Sequence, residues 1–422
     1  MTIETEPATP GKGTPMGTNP SPSIPVATMV ALALVGMLGP LGTDAALPAL
    51  PAIAVDLGVS EPSVRLILSA YTIGLAGGQL VIGALSDRLG RRRLMNWGAL
   101  AAAVAAFAAS TSQTLLALII ACAVLGIASA AGLVTGRAFI SDSSVGRQAA
   151  RRFTILQLSI SFGPIVGPLA GAALLTVGDW RTIFLSLASL AIIGTLATML
   201  FVPESLPTER RGTQTLGGYT RTMGRILGTP QFLAFAASMW LGFGTLFAYI
   251  SASSSIFQTE FRVSSGAFAL AFAVNGAGLL LVSLLAATIV HKVSPARLVL
   301  VGLGIQLSAL LALGVSLLSG VAVLPIVVIG LFVSAASLGL VLGPATSLAV
   351  APVREHAGTA LALLGSLQFV AAAVTSTLTA VIDADPLTAF VLVGSTSTVL
   401  ALSAAIVGAR VIPDRPTRSS TA

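Results

Sequence analysis

The stretch GALSDRLGRRRLMNWG, residues 83–98, sets four arginines and an aspartate between two long apolar runs. Short charged knots between charge-poor runs recur down the whole chain. Of 422 residues, 55% are hydrophobic and only 9% are charged, and the mean hydropathy is +0.96. A soluble fold of this length needs far more charge to cover its surface, so the composition is that of an integral membrane protein. The net charge of +7 sits beside the apolar runs, where membrane-flanking residues belong, and does not form patches suited to nucleic acid. The single cysteine, Cys122, lies inside an apolar run, so no disulfide framework or cysteine metal cluster is expected.

A helix needs about 20 apolar residues to cross the hydrocarbon core. Runs near 25–49, 63–85, 153–178, 182–203, 226–259, 263–290, 357–382 and 386–409 hold one span each. The longer runs 94–136 and 298–353 hold two each, which makes twelve. An even count puts both termini on one side of the membrane. With the termini in the cytoplasm, every basic residue except Arg65, Arg181 and Arg262 falls on the cytoplasmic side or at a cytoplasmic helix end. The chain is therefore expected to cross its membrane many times, with both ends on the cytoplasmic side. Residues 1–24 are polar and rich in Pro, Gly and Thr, lack a cleavable signal, and read as a disordered cytoplasmic tail.

One polar interruption, ESLPTERRGTQTLGGYTRTMGR at 204–225, divides the spans six and six. The organisation read from it is a bundle over 25–203, a linker over 204–225, a second bundle over 226–410 and a tail over 411–422. Self-similarity supports the division. ATIVHKVSPARLVLVG (287–302) follows GALSDRLGRRRLMNWG at a constant offset, matching Arg88 with Lys292, Arg93 with Arg297, Leu94 with Leu298 and Gly98 with Gly302. AGLVTGRA (131–138) likewise echoes LGLVLGPA (338–345). The expected fold is all-α, with twelve transmembrane helices in two pseudo-symmetric six-helix bundles around a central cavity.

GALSDRLGRRR also resembles the cytoplasmic signature of the major facilitator superfamily. TDAALPALP, GPIVGPLAG, GDWRTIF, FVPESLPTERR, FAYISASSS and HAGTALALLGSLQF are similar to stretches of its Bcr/CflA group of bacterial drug exporters. The resemblance implies a proton-coupled antiporter of small, mostly hydrophobic compounds, monomeric in the lipid bilayer, with no cofactor and no metal. It departs from the group in span four, where ACAVLGIASAAG places Cys122 at the position of an intramembrane arginine.

Asp44 is the one acidic residue well inside a predicted span, roughly 27 Å along a helix that starts near Val26. Gly39, Pro40 and Gly42 just before it can bend the helix and bare its carbonyls. A carboxylate at that depth costs several kcal/mol unless it meets water or a partner, and removal from water favours its neutral form. One reading makes Asp44 the proton-coupling site. The other makes it a solvated acid that merely ends span one. The isolation of the acid and its place in the TD-x-x-x-P stretch favour coupling.

In the 83–93 loop, Gly83 permits close helix approach and Gly90 a tight reversal, while Arg88, Arg91, Arg92 and Arg93 face the anionic leaflet. The resemblance implies a conformational latch in which Asp87 engages the start of span eleven near Gly358 and Thr359, or Arg137 at the inner end of span four. Gly163, Gly167 and Gly171, with Pro164 and Pro168, form a stripe along one face of span five that admits a second helix closely. In the resembling group this form accompanies antiport. Tyr71, Gln79, Gln157, Phe243, Phe247, Tyr249, Asn275 and Gln368 are the membrane-embedded polar and aromatic candidates for a substrate cavity. No arginine or lysine cluster faces the interior, which suits a neutral or cationic lipophilic compound over a phosphorylated or dicarboxylic one.

An enzyme would need a catalytic constellation at membrane depth, and the two histidines, His291 and His356, both fall in loops. A channel is the second rival, and the two-repeat layout favours alternating access over a continuous pore. Among transporters the alternative is a proton-coupled nutrient importer, in which Asp44 would serve symport.

Overall fold

The computed structural model describes residues 24–144, 148, 152, 155, 156, 159, 160, 162–206, 216–290 and 292–411. Gln157, His291, the first 23 residues and the last 11 lie outside them, as does the side chain of Asp87. The described chain is helical and contains no strand, as expected where a bilayer leaves the backbone no other partner.

Span one is a broken column: a helix Val26–Asp44, a 3-10 turn Leu47–Ala49 and a second helix Leu50–Leu57. Spans two to four are Glu61–Leu89, Arg91–Ser110 and Leu115–Ser143. Gly163–Leu174 and Trp180–Phe201 are spans five and six. A short helix, Leu216–Leu227, precedes span seven, Pro230–Ser254, which ends in a π-turn to Glu260. Spans eight and nine are Ser265–Ile289 and Pro295–Leu318. Span ten is broken like span one, as Leu324–Ser337, Leu338–Leu340 and Leu342–Val350. Ala357–Val381 and Pro386–Val411 complete the twelve.

Among the described residues, ten of these columns are long and apolar enough to cross a membrane on their own composition. The other two are span three, which opens on three arginines, and the described part of span five, 12 residues long.

Three boundaries differ from the sequence reading. Span two runs on to Leu89, so Asp87 and Arg88 are helical, not in a loop, and Gly90 alone (φ 94) turns the chain into span three. Ile226 belongs to the linker helix, not to span seven, because Gly228 and Pro230 break the chain between them. Span one continues to Leu57, well past the expected end near residue 49.

The halves repeat their packing. Span one lies against four, five and six, and span seven against ten, eleven and twelve. Spans two and four pair as eight and ten do, and three packs between four and six as nine does between ten and twelve. The matched glycines carry this symmetry. A Cβ on Gly98 would sit 2.1 Å from Ala131 Cβ, and one on Gly302 would sit 2.8 Å from Val341 Cγ2. Both contacts join the first repeated stretch to the second within each half. In lipid such backbone approach substitutes for the missing hydrophobic drive. Two seams join the halves: span two with span eleven, and span five with span eight. Lipid-facing side chains such as Val104, Ile193, Leu284, Leu318 and Leu400 stay exposed around the outside.

Gly98→Leu and Gly302→Leu are each expected to destabilise the protein by about 2 kcal/mol through overpacking. Thermal unfolding in detergent should show both melting earlier than the wild type, with additive effects because they act in different halves.

Candidate functional site

The end of the bundle that holds Val26 and Val411 is its near end, and the opposite end its far end. Asp44 closes the first helix of span one and is 3% exposed. The column runs a further 13 residues to Leu57, about 20 Å at helical rise. Asp44 therefore sits inside the protein, and the reading of it as an acid that ends the span does not fit its depth.

The break beneath it is sequence-driven. Pro40 lies within the helix and Pro48 in the 3-10 turn, so each removes a backbone donor and loosens the ladder. Tyr71 Oη of span two donates to the carbonyls of Leu38 (3.1 Å) and Gly39 (2.7 Å). Gly42 is what lets it in, since a Cβ there would lie 2.5 Å from the Tyr71 oxygen. Tyr71 thus spends its hydroxyl on span one, and its ring is buried.

The span-five stripe lies directly on this segment. A Cβ on Gly163 would meet Pro40 Cβ at 2.5 Å, one on Gly167 would meet Asp44 Cβ at 3.1 Å, and one on Gly171 would meet the Ala45 carbonyl oxygen at 2.0 Å. The two sequence motifs, TDAALPALP and GPIVGPLAG, are one contact. Pro168 sits within the span-five helix beside it. Span five also faces the other half, with Ile165 and Pro164 against Gly276 of span eight.

From that half come Tyr249 and Asn275. Asn275 Nδ2 donates to Tyr249 Oη (2.6 Å), and the Tyr249 ring stacks on Phe272 at 5.6 Å. Tyr71 and Tyr249 both lie within electrostatic reach of Asp44. Among the described residues no hydrogen bond or ion pair is recorded for the Asp44 carboxyl. A second cluster lies on spans seven and eleven, where Phe243, Phe247 and Phe369 meet with centroids 5.0–6.1 Å apart. Gln368, next to Phe369, is half-buried. Cys122, at the arginine position of span four, is buried and unpaired.

Several partners escaped the sequence reading. Arg65, placed there outside the membrane, is 3% exposed on span two, and its Nη1 donates to the Thr379 carbonyl of span eleven (3.2 Å). One turn deeper Ser69 Oγ donates to Ser376 Oγ (3.1 Å), and at the rim Thr259 donates to Glu61 (2.5 Å). These bonds seal the far end between the halves. Further down the same seam Gln79 is buried close to Gly365. At the near end a Cβ on Gly83 or Gly358 would meet nothing within 4 Å among the described residues, so Gly83 does not serve the close helix approach expected of it.

Arg91 of the latch motif is tied within its own half. Its Nε donates to Asp142 of span four (3.1 Å), and its backbone N–H donates to Glu204 at the end of span six (2.9 Å). Ser86 is a third partner. Arg88, Arg92 and Arg137 are exposed. The basic side of the motif therefore clamps spans two, three, four and six together. Polar pairing at helix ends carries no periodic signature, which is why these partners were not legible in the sequence.

Residues 32–376 match the family model of the Major Facilitator Superfamily. The chain is 31% identical over 365 residues to "Uncharacterized MFS-type transporter YdgK" of Bacillus subtilis, covering 85% of this chain and 90% of that one. It is 26% identical to "Bicyclomycin resistance protein homolog" of Haemophilus influenzae, covering 85% and 89%. The solved human organic anion transporter MFSD10 superposes with a TM-score of 0.67 at 20% identity, over 90% of this chain and 99% of that one.

Ser69→Cys combined with Ser376→Cys should form a disulfide readily under mild oxidation, because their hydroxyls already touch. Reaction with a thiol-specific maleimide, before and after reductant, checks it. Thiols that stay fully reactive in both samples would contradict the sealed far end.

Proposed function

The chain belongs to the Major Facilitator Superfamily, and from that premise we propose that it exports small hydrophobic or cationic compounds in exchange for protons. It is a multi-pass membrane transporter and not an enzyme. Export, proton coupling and the compound class are the proposal. Its relatives include proteins named for bicyclomycin, chloramphenicol and multidrug resistance, which supports a toxic, drug-like cargo.

One observation carries the coupling: Asp44 is a buried carboxyl, without a recorded partner among the described residues, at the junction of the two halves. A carboxyl in a dry setting keeps its proton, and one opened to water gives it up. The halves are bonded to each other at the far end, so rocking them would wet Asp44 from one side and then the other. A proton taken up while the far end is open would leave when the near end opens. A cationic or hydrogen-bonding substrate would take its place beside Asp44, with Tyr249 and Asn275 as polar contacts. The Phe243, Phe247 and Phe369 faces would hold an apolar body.

The glycine contact gives span five its part. Gly167 lets span five ride on span one at Asp44 itself, while Pro164 and Ile165 face span eight. A shift of span five would thus be felt at both the acid and the inter-half seam. The termini are assigned to the cytoplasm on the charge asymmetry, which makes the near end the cytoplasmic mouth.

In inverted vesicles given an inward-acid gradient, the wild type should accumulate a cationic dye and discharge the gradient. Asp44→Asn should insert normally and lose proton-linked accumulation at least tenfold. Gly167→Leu should impair exchange to a similar degree while leaving dye binding measurable. Full gradient-driven accumulation by Asp44→Asn would refute the coupling assignment, and dye movement down the proton gradient would indicate an importer.

A further inference from the structure

A cavity of about 510 Å³ opens at the near end between spans three and six, lined by Leu89, Arg92, Arg93, Asn96, Met199 and Glu204. It lies apart from Asp44, on the outer flank of the first half. We propose that it seats the phosphate of an anionic phospholipid headgroup, with the acyl chains running down the outside of spans three and six.

The charges are arranged for an anion. Arg92 and Arg93 are consecutive exposed residues in the first turn of span three. Arg92 Nη2 donates to the Met199 carbonyl (2.6 Å), which anchors it across the gap and leaves its other donors available. Among the described residues no hydrogen bond or ion pair is recorded for Arg93. Glu204 also lines the cavity, but its Oε1 accepts from the backbone N–H groups of Arg91 (2.9 Å) and Leu206 (3.1 Å). With two guanidinium groups against this one carboxylate, the lining keeps a net positive charge. Asn96 adds an amide, its Oδ1 already taken by the Thr198 hydroxyl (2.7 Å), which leaves its NH₂ as the donor.

The surroundings choose a lipid over a free anion. Leu89, Met199, Leu200 and Phe201 are large apolar residues left 41–75% exposed around the cavity. Trp97, one residue beyond Asn96, is 65% exposed. Tryptophan with arginine at a helix end marks headgroup depth, and basic pockets between helix ends take anionic headgroups. A soluble phosphate would gain nothing from these apolar walls.

Binding is read by native mass spectrometry of detergent-purified protein titrated with phosphatidylglycerol. Phosphatidylcholine and inorganic phosphate are titrated in parallel. The wild type should retain one tightly held phosphatidylglycerol and little phosphatidylcholine. Arg93→Gln should weaken that binding about fivefold, and the double variant with Arg92→Gln at least tenfold. Removing Arg93 breaks no recorded contact, so the fold should survive. Arg297→Gln, at the matched position of the second half, should leave binding unchanged. Equal loss in Arg297→Gln would reduce the effect to general surface charge, and displacement of the lipid by millimolar phosphate would make the site a soluble-anion site. Either result overturns the proposal, as does unchanged binding in the double variant.

Discussion

The contact that the rest of the molecule depends on is the approach of span five to span one at Pro40, Asp44 and Ala45. Three glycines on one helix face meet a segment whose own ladder is broken by proline. No residue with a side chain fits at Gly171, because the Ala45 carbonyl stands 2.0 Å from where its Cβ would be. Hydrocarbon offers no water to fill such a junction, so backbone must meet backbone. The result is a carboxyl group held deep in the protein, on the segment of span one against which span five packs.

The two ends of the bundle differ in how they hold together. At the far end the halves are joined by direct hydrogen bonds from Arg65, Ser69 and Thr259, few in number and polar. Buried polar bonds of this kind are worth little net energy when made and cost more when left unmade. A seal built from them can be exchanged for water in another conformation at modest cost. At the near end Arg91, Asp142 and Glu204 bind one half internally, which stiffens it as a unit. A rigid half with a weak seam is what rocking requires.

The internal repeat explains why both halves break a helix. Span one is interrupted at Ala45–Ala46 and span ten at Leu338–Leu340, each close to the middle of its column. Only the first break carries an acid. The second is lined by Gly339, whose absent side chain lets the backbone of span eight approach within 2.6 Å of its Cβ position. One half therefore holds the buried acid, and the other holds the aromatic clusters of spans seven, eight and eleven.

The sequence by itself determined the membrane class, the twelve columns, the two-fold repeat and the isolation of Asp44. These are written in composition, run length and the offset between matched stretches, and a bilayer punishes any departure from them. The stripe at 163, 167 and 171 already announced a close helix contact, while Gly98 and Gly302 were legible only as matched positions of the repeat. Which surfaces they would meet was not announced. Only the tertiary structure joined the stripe to Asp44, gave the Tyr71 hydroxyl to span one, buried Arg65 and paired Arg91 with Asp142 and Glu204. Those partners lie tens to hundreds of residues apart, and a single side chain meeting another at a helix end leaves no period to read. Depth followed the same division: the sequence put an acid in span one, but the 13 residues beyond it, folded on as a second helix, decided that it is buried.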